Sequence, residues 1–238
     1  MTDDRTERPG YVLVYAAVVS TLFTGCIMAL HAASRAAVQR NEKLAFQKAM
    51  VELFDLGDVD SLTARQIASL YEKHITQQPD VTDPQTGQTF KAYTAAVDHN
   101  VRGYAFSFTG TGFWARIDGL LAVSPAFLIE DDGRDAKILG ITFLSHQETP
   151  GLGGRITERQ WRRKFAGLTL TPPKQGGQWI YIGGETSDDP ASPRYNRRVD
   201  AITGATGTSN ALERFLNEQI AAFRRAMLDK YAFVTISF

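Results

Sequence analysis

The sequence predicts an α+β chain: a single N-terminal transmembrane helix, then a soluble domain with a mixed or antiparallel sheet flanked by helices. Three observations predict it. Tyr11 to Ala33 contains no Asp, Glu, Lys or Arg. From Val101 the pattern turns to short alternating apolar runs broken by glycine-rich turns, the signature of strands. From Asn210 to about Leu228 apolar residues recur at helical spacing.

The first segment, 11–33, has about the length needed to cross a bilayer as a helix. A cleaved signal peptide is the rival, with a weak cleavage-site resemblance around Ala29 to Ser34. The apolar run exceeds the roughly 7–15 residues of a signal core, so the sequence points to an uncleaved anchor. Cys26 lies inside this run, which makes a lipoprotein a poor fit. Arg5 and Arg8 precede the span, while Arg35, Arg40, Lys43 and Lys48 follow it. By the positive-inside rule this count slightly favours a cytoplasmic C-terminal side, a weak signal for a long folded domain.

Composition narrows the function classes. The 238 residues carry 26 basic and 26 acidic side chains and no net charge, so no nucleic-acid partner is expected. Cys26 is the only cysteine, which excludes intrachain disulfides and cysteine-built metal sites.

After the span, Phe46, Ala49, Met50, Leu53 and Phe54 form an amphipathic stripe that Gly57 ends. A second helix is expected from about Thr63 to Ile75. Gln77 to Gln88, with Pro79, Pro84 and Gly87, reads as a loop. Tyr104, Phe106 and Phe108 alternate along a strand that turns at Gly110-Thr111-Gly112 into Phe113-Trp114. Asp118 to Ser124 is a further strand. Phe127 to Glu130 and Lys137 to Ser145 are expected as strands around an Asp131-Asp132-Gly133-Arg134 connection. Thr157 to Lys164 reads as a helix, with Thr157 and Gln160 at capping-box spacing. Trp179 to Ile182 is a short strand. The expected division is a tail over 1–10, the transmembrane helix 11–33, a helical membrane-proximal region 34–98, and one domain over 99–238.

The densest chemistry lies in Asp200-Ala201-Ile202-Thr203-Gly204-Ala205-Thr206-Gly207-Thr208-Ser209. Its glycines allow close approach of the backbone to a bulky group. A helix following at once offers unpaired N–H groups and a positive dipole end, which suit a phosphate. The competing explanation is capping by Thr208, Ser209 or Asn210, with Asn210 and Glu213 at capping-box spacing. Arg197 and Arg198 stand close enough in sequence to help hold a phosphate. A second segment, His146 to Ile156, combines Pro150 with Gly151, Gly153 and Gly154 and suits either a flat ligand or a plain strand-to-helix turn. It lacks the dinucleotide fingerprint, and the chain has no P-loop, no paired-histidine zinc motif and no Gly-x-Ser-x-Gly elbow. His31, His74, His99 and His146 are scattered, so no catalytic residue and no metal ligand is assigned. Arg162-Arg163-Lys164 reads as a solvated basic face.

Three segments together carry a resemblance. Asp200-x-x-Thr203-Gly204-Ala205-Thr206 is similar to the Asp-x-x-(Ser/Thr)-Gly-Ala-Thr pattern of covalently flavinylated domains. Glu148-Thr149-Pro150-Gly151-Leu152-Gly153-Gly154 and Gly110-Thr111-Gly112-Phe113-Trp114 resemble two further segments of the same family, with Phe113 where Leu is usual. The chain thus resembles the FMN-binding domain family that includes the C subunit of the sodium-translocating NADH:quinone oxidoreductase and the G subunit of the Rnf electron-transport complex.

The resemblance implies that 99–238 is an FMN-binding domain and that Thr206 carries covalent FMN through a phosphoester, a phosphothreonine linkage. Thr208 is the rival hydroxyl. Thr203, Gly204 and Ala205 would surround the attachment, and Asp200 would serve recognition by a flavin transferase. Thr149, Leu152 and Gly153, with Glu148 and Trp114, would lie near the isoalloxazine; Trp114 reads equally as a core tryptophan. The implied function is electron transfer within a membrane redox complex coupled to ion transport. The implied partners are the other subunits, the transferase and the membrane. The domain would be periplasmic, anchored in the inner (cytoplasmic) membrane, which opposes the charge count. The alternatives are a flavinylated carrier of another respiratory or photosynthetic complex, or a scaffold module without flavin.

Overall fold

The computed structural model describes residues 9–129, 136–170, 172–173, 177–187, 189, 192 and 194–235, the last five as backbone. The chain divides into two compact units, Met1–Ala45 and Phe46–Phe238. In the first, α1 (Pro9–Leu53) begins, and an 18-residue window near the N-terminus has mean hydropathy 2.1 with no residue buried. That helix is long and apolar enough to cross a membrane.

The second unit is built on a five-stranded antiparallel sheet of order β1-β4-β5-β6-β7, comprising β1 (Ile75–Gln77), β4 (Ala92–Val97), β5 (Asn100–Thr111), β6 (Arg116–Val123) and β7 (Ile138–Ser145). Helix α2 (Ala64–His74) precedes it. Thr63 caps α2 with a reciprocal box to Gln66, which satisfies two otherwise unpaired N–H groups. In the expected helical region 34–98, helix ends at His74 and strand begins at Ile75. The 98/99 boundary falls inside the β4–β5 hairpin. The expected loop 77–88 contains one arm of a small hairpin, β2 (Val81–Thr82) paired with β3 (Thr89–Phe90). Two-residue strands carry too little alternation to register against Pro79 and Pro84.

Both faces of the sheet are buried. On one, the C-terminal end of α1 places Met50, Leu53 and Phe54 against Ile75, Tyr93, Ala95, Ala105, Leu120 and Ala122. On the other, Phe106, Phe108, Ile117, Leu121 and Val123 meet α4 (Thr206–Thr235) through Leu212, Phe215, Leu216 and Phe223. The Phe106 and Phe223 rings stack 4.1 Å apart. Burying one such side chain contributes about 1.5–3 kcal/mol, so α4 is held mainly by this face.

Three sequence expectations change here. The described part of the segment expected as a strand from Phe127 to Glu130 is not one: residues Pro125–Leu128 form a 3₁₀ turn, because Pro125 cannot donate to a ladder and β6 stops at Val123. Glu130 and the Asp131–Arg134 connection lie outside the described residues. Helix α3 (Arg159–Arg163) starts after Glu158, and the Thr157 hydroxyl donates to Gly154 instead of capping it. Trp179 to Ile182 contributes only β8 (Tyr181–Ile182), which pairs in parallel with β9 (Arg198–Val199) and so delivers the chain to Asp200.

Candidate functional site

Beyond β9 the chain makes a tight turn into α4. Gly204 sits at φ +78°, a left-handed conformation that costs other residues energy. The Ala205 amide donates to Ile202 O (3.0 Å) and the Ser209 amide to Ala205 O (3.0 Å). Helix α4 therefore begins at Thr206, four residues before the expected Asn210 start. The Asn210–Glu213 capping box does not form: the Glu213 carboxylate instead accepts from the Ile182 amide.

The hydroxyls of this turn divide sharply. Ser209 is fully buried and its oxygen accepts from the Ile202 amide at 3.2 Å. Thr208 is buried and donates to Glu148 Oε2 at 2.6 Å. Thr203 and Thr206 are exposed, and only Thr206 of these two stands in the first turn of the helix. There the unpaired N–H groups and the positive dipole end favour a bound phosphate.

The 148–154 segment and the Gly110–Trp114 turn both reach this corner. Gly112 closes the β5–β6 turn by donating to Ala115 O at 2.8 Å. The 148–154 turn closes on Thr149 O, which accepts from Leu152 (3.1 Å) and Gly154 (2.9 Å). Leu152 is 45% exposed, and its Cδ2 would lie 3.1 Å from a Cβ on Gly204. Phe113 is 60% exposed and its ring lies over Gly207, while Trp114 is 68% exposed and meets Phe113 edge-on at 5.1 Å. Trp114 is therefore not a core tryptophan. Phe113 and Leu152 thus meet the glycines on either side of Thr206, and with Trp114 they form an exposed apolar surface of the kind that marks a binding site. Thr149 is also exposed, whereas Glu148, Gly153 and Ala205 are buried beneath.

Asp200 opens the turn from the other side. Its carboxylate accepts from Lys164 Nζ at 2.7 Å and from Arg198 Nη1 at 2.9 Å, and these cations hold its pKa below the usual value. Its backbone oxygen accepts from the Trp161 indole at 2.8 Å. Asp200, Lys164 and Trp161 line a cavity of about 290 Å³ together with Arg155, Glu158 and Thr203. Arg198, which its place in the sequence suggests for a phosphate, points to Asp200. The basic run 162–164 is not a plain solvated face. Lys164 meets Asp200 only through the fold, and no spacing rule signals it. Arg162 is half-buried and donates to Glu52, Ile141 O and Thr142.

Residues 112–221 match the FMN-binding domain family. The matched stretch runs from the Gly112 turn into α4 and includes Phe113, Trp114, Leu152 and Thr206. In sequence the chain is similar to the C subunit of the Na(+)-translocating NADH-quinone reductase. It is 24% identical over 252 residues to that of Pseudomonas aeruginosa, covering 90% of this chain and 91% of the relative. With that of Chlamydia muridarum it shares 33% over 125 residues, and with that of Pasteurella multocida 37% over 106 residues. Those two matches cover 48% and 44% of this chain and span only 37% and 35% of the relatives' own lengths. In fold it is similar to the crystal structure of NqrC from Shewanella oneidensis. The TM-score is 0.60 at 19% identity, covering 82% of this chain and 99% of that one. The corresponding C subunit from Parabacteroides distasonis gives 0.62 at 19% identity, with 80% and 95% covered.

The residues of the matched stretch are of the kinds that fit a flavin. A phosphate end needs a hydroxyl or N–H donors at a helix start, and Thr206 with the first turn of α4 offers both. A ring system needs apolar cover, and Phe113, Trp114 and Leu152 are exposed beside it.

Proposed function

We propose that the chain is a membrane-anchored flavoprotein subunit that carries FMN covalently on Thr206 and relays electrons in a membrane redox complex of the Na(+)-translocating NADH:quinone reductase type. The observation that carries the reading is the segregation of hydroxyls at the start of α4. Thr208 and Ser209 are turned inward and hydrogen-bonded, and Thr206 alone in that turn is open to solvent.

Attachment requires a separate flavin transferase acting on FAD. The Thr206 oxygen bonds to the FMN phosphorus, the pyrophosphate bond of FAD breaks, AMP leaves, and the hydroxyl proton passes to a base. Recognition of Asp200 by that enzyme is supported by its exposure at the edge of the turn, where Lys164 and Arg198 fix its orientation. A bound flavin supplies one- and two-electron chemistry, and the protein's part is to hold and orient the ring. In this reading Thr203, Gly204 and Ala205 shape the turn, Thr149, Leu152 and Trp114 face the ring, and Gly153 lies beneath them against Glu148. The apolar segment of α1 is the anchor. The resemblance to the C subunit supports a periplasmic domain and partnership with the other subunits of such a complex.

The test is expression of the full chain with a flavin transferase, followed by denaturing electrophoresis and intact-mass measurement. A fluorescent band and an added mass of one FMN less one water are expected, both abolished by Thr206→Ala. Covalent flavin persisting in Thr206→Ala would sink the assignment. Orientation is tested by a reporter fused at the C-terminus, which should be active only when periplasmic.

A further inference from the structure

Two glycines in different motifs point at one side chain. A Cβ on Gly112 would strike Glu148 Oε1, and a Cβ on Gly153 would strike Thr208 Oγ1 and approach Glu148 Oε2 to 2.7 Å. The glycine pattern that suits a flat ligand in the sequence is thus occupied, at these positions, by the Glu148 carboxylate. That carboxylate is 3% exposed. Its Oε1 accepts from the Trp114 amide at 3.1 Å and its Oε2 from the Thr208 hydroxyl at 2.6 Å. Its own amide donates to His146 Nδ1 at 3.2 Å. Among the described residues no Lys or Arg pairs with it. A buried carboxylate without a counter-ion is costly unless its oxygens are hydrogen-bonded. This one is also placed at the positive end of α4.

We infer that Glu148 is a positioning residue: its buried carboxylate bridges the Phe113–Trp114 turn to the first turn of α4 and so fixes the exposed aromatic rim relative to Thr206. The proposal deepens the flavin reading, and only its consequence for the ring rests on that reading. Glu148 acts from beneath, through Trp114 and Thr208. It also holds Thr208 inward, leaving Thr206 as the free hydroxyl of the turn.

A bridge transmits, and a merely local contact does not. Hydrogen exchange on the full chain in detergent, without flavin, reads this at the Trp114 amide. Glu148→Ala should speed exchange there by about tenfold, the factor expected for one lost hydrogen bond to a carboxylate. Glu148→Gln should restore it, because the amide oxygen can still accept from Trp114 while its NH₂ donates to the Thr208 hydroxyl. Thr208→Val changes only the far arm, yet should speed Trp114 exchange several-fold, and should add nothing in a Glu148→Ala background. Trp114 exchange unchanged in Thr208→Val, or equal additions with and without Glu148, overturns the proposal. Should Glu148→Ala fail to fold, Thr208→Val and Glu148→Gln alone decide the matter by the same readout. Intact mass of chain made with the transferase tests attachment separately, so loss of one reading is not mistaken for loss of the other.

Discussion

Gly153→Ala is the perturbation that probes the site most directly. Gly153 is buried and its φ is not in the left-handed region, so backbone strain plays no part. The new methyl would instead stand 2.7 Å from Glu148 Oε2 and 3.0 Å from Glu148 Cβ, and against the Thr208 hydroxyl. Neither partner can swing out, since both are buried and bonded to each other at 2.6 Å. Two responses are open. The site stays overpacked, at about 1–3 kcal/mol, or the Thr208–Glu148 bond opens and leaves a buried acceptor unmet, at about 1–3 kcal/mol. The cheaper response is taken, so the two do not add and the expected loss is about 2 kcal/mol. Urea unfolding of the full chain in detergent, followed by tryptophan emission, should show the midpoint fall by about 1 M at an ordinary m-value. Gly207→Ala is the control. Its methyl would meet the Phe113 ring, which is 60% exposed and free to turn away. That variant should lie within about 0.5 kcal/mol of the wild type. A Gly153→Ala midpoint equal to that of Gly207→Ala would refute the packing argument.

Further outcomes follow from the geometry and from the proposed function. Asp83 is fully buried, accepts from Arg225 at 3.0 and 2.7 Å, and ties the β2–β3 hairpin to α4; Asp83→Asn should cost about 2–3 kcal/mol in the same urea assay, less than a fully buried pair because Arg225 is one-third exposed. The Arg225 guanidinium holds the Asp83 pKa far below the usual carboxylate range. Its stabilisation is therefore complete above the unfolded value of about 4 and declines as pH falls below that; thermal melts from about pH 5 to 2 should fall in the wild type and flatten in Asp83→Asn. Phe113→Ala and Trp114→Ala remove exposed side chains, so each should change stability by under about 0.5 kcal/mol. If FMN is carried as proposed, Trp114→Ala should brighten its emission, because a quenching ring would be removed; unchanged emission would place the flavin elsewhere.

What the sequence discloses follows the range of each interaction. Short-range periodicity is legible: α2 (Ala64–His74) falls within the helix expected from about Thr63 to Ile75, and the Tyr104, Phe106, Phe108 alternation is β5, with Phe106 and Phe108 on one buried face. The span is legible from the absence of charge over 11–33. What depends on distant partners is not. β8 and β9 are two residues each and form a parallel pair only because the fold brings Tyr181 beside Arg198. Lys164 and Asp200 are 36 positions apart and Thr208 and Glu148 are 60 apart. Asn210–Glu213 has the spacing of a cap and loses to a helix that starts earlier, since Gly204 turns the chain ahead of it. Trp114 is undecidable from sequence because an aromatic after a turn faces core or solvent according to the register of β6.

The choice among hydroxyls at the head of α4 is a consequence of helical period. Ala205, Thr208, Ser209, Leu212 and Leu216 are buried and recur at intervals of three and four, one continuous stripe along the helix and the residue before it. Once Leu212, Phe215, Leu216 and Phe223 dock on the sheet, that stripe must face inward up to the first turn. Thr208 and Ser209 lie on it and need internal partners, which Glu148 and the Ile202 amide provide. Thr206 lies off it and is exposed by the same docking. The large apolar contacts far down the helix thus decide which oxygen at its start is open. Shifting Thr206 by one position would carry it to a different face without altering the composition of the turn.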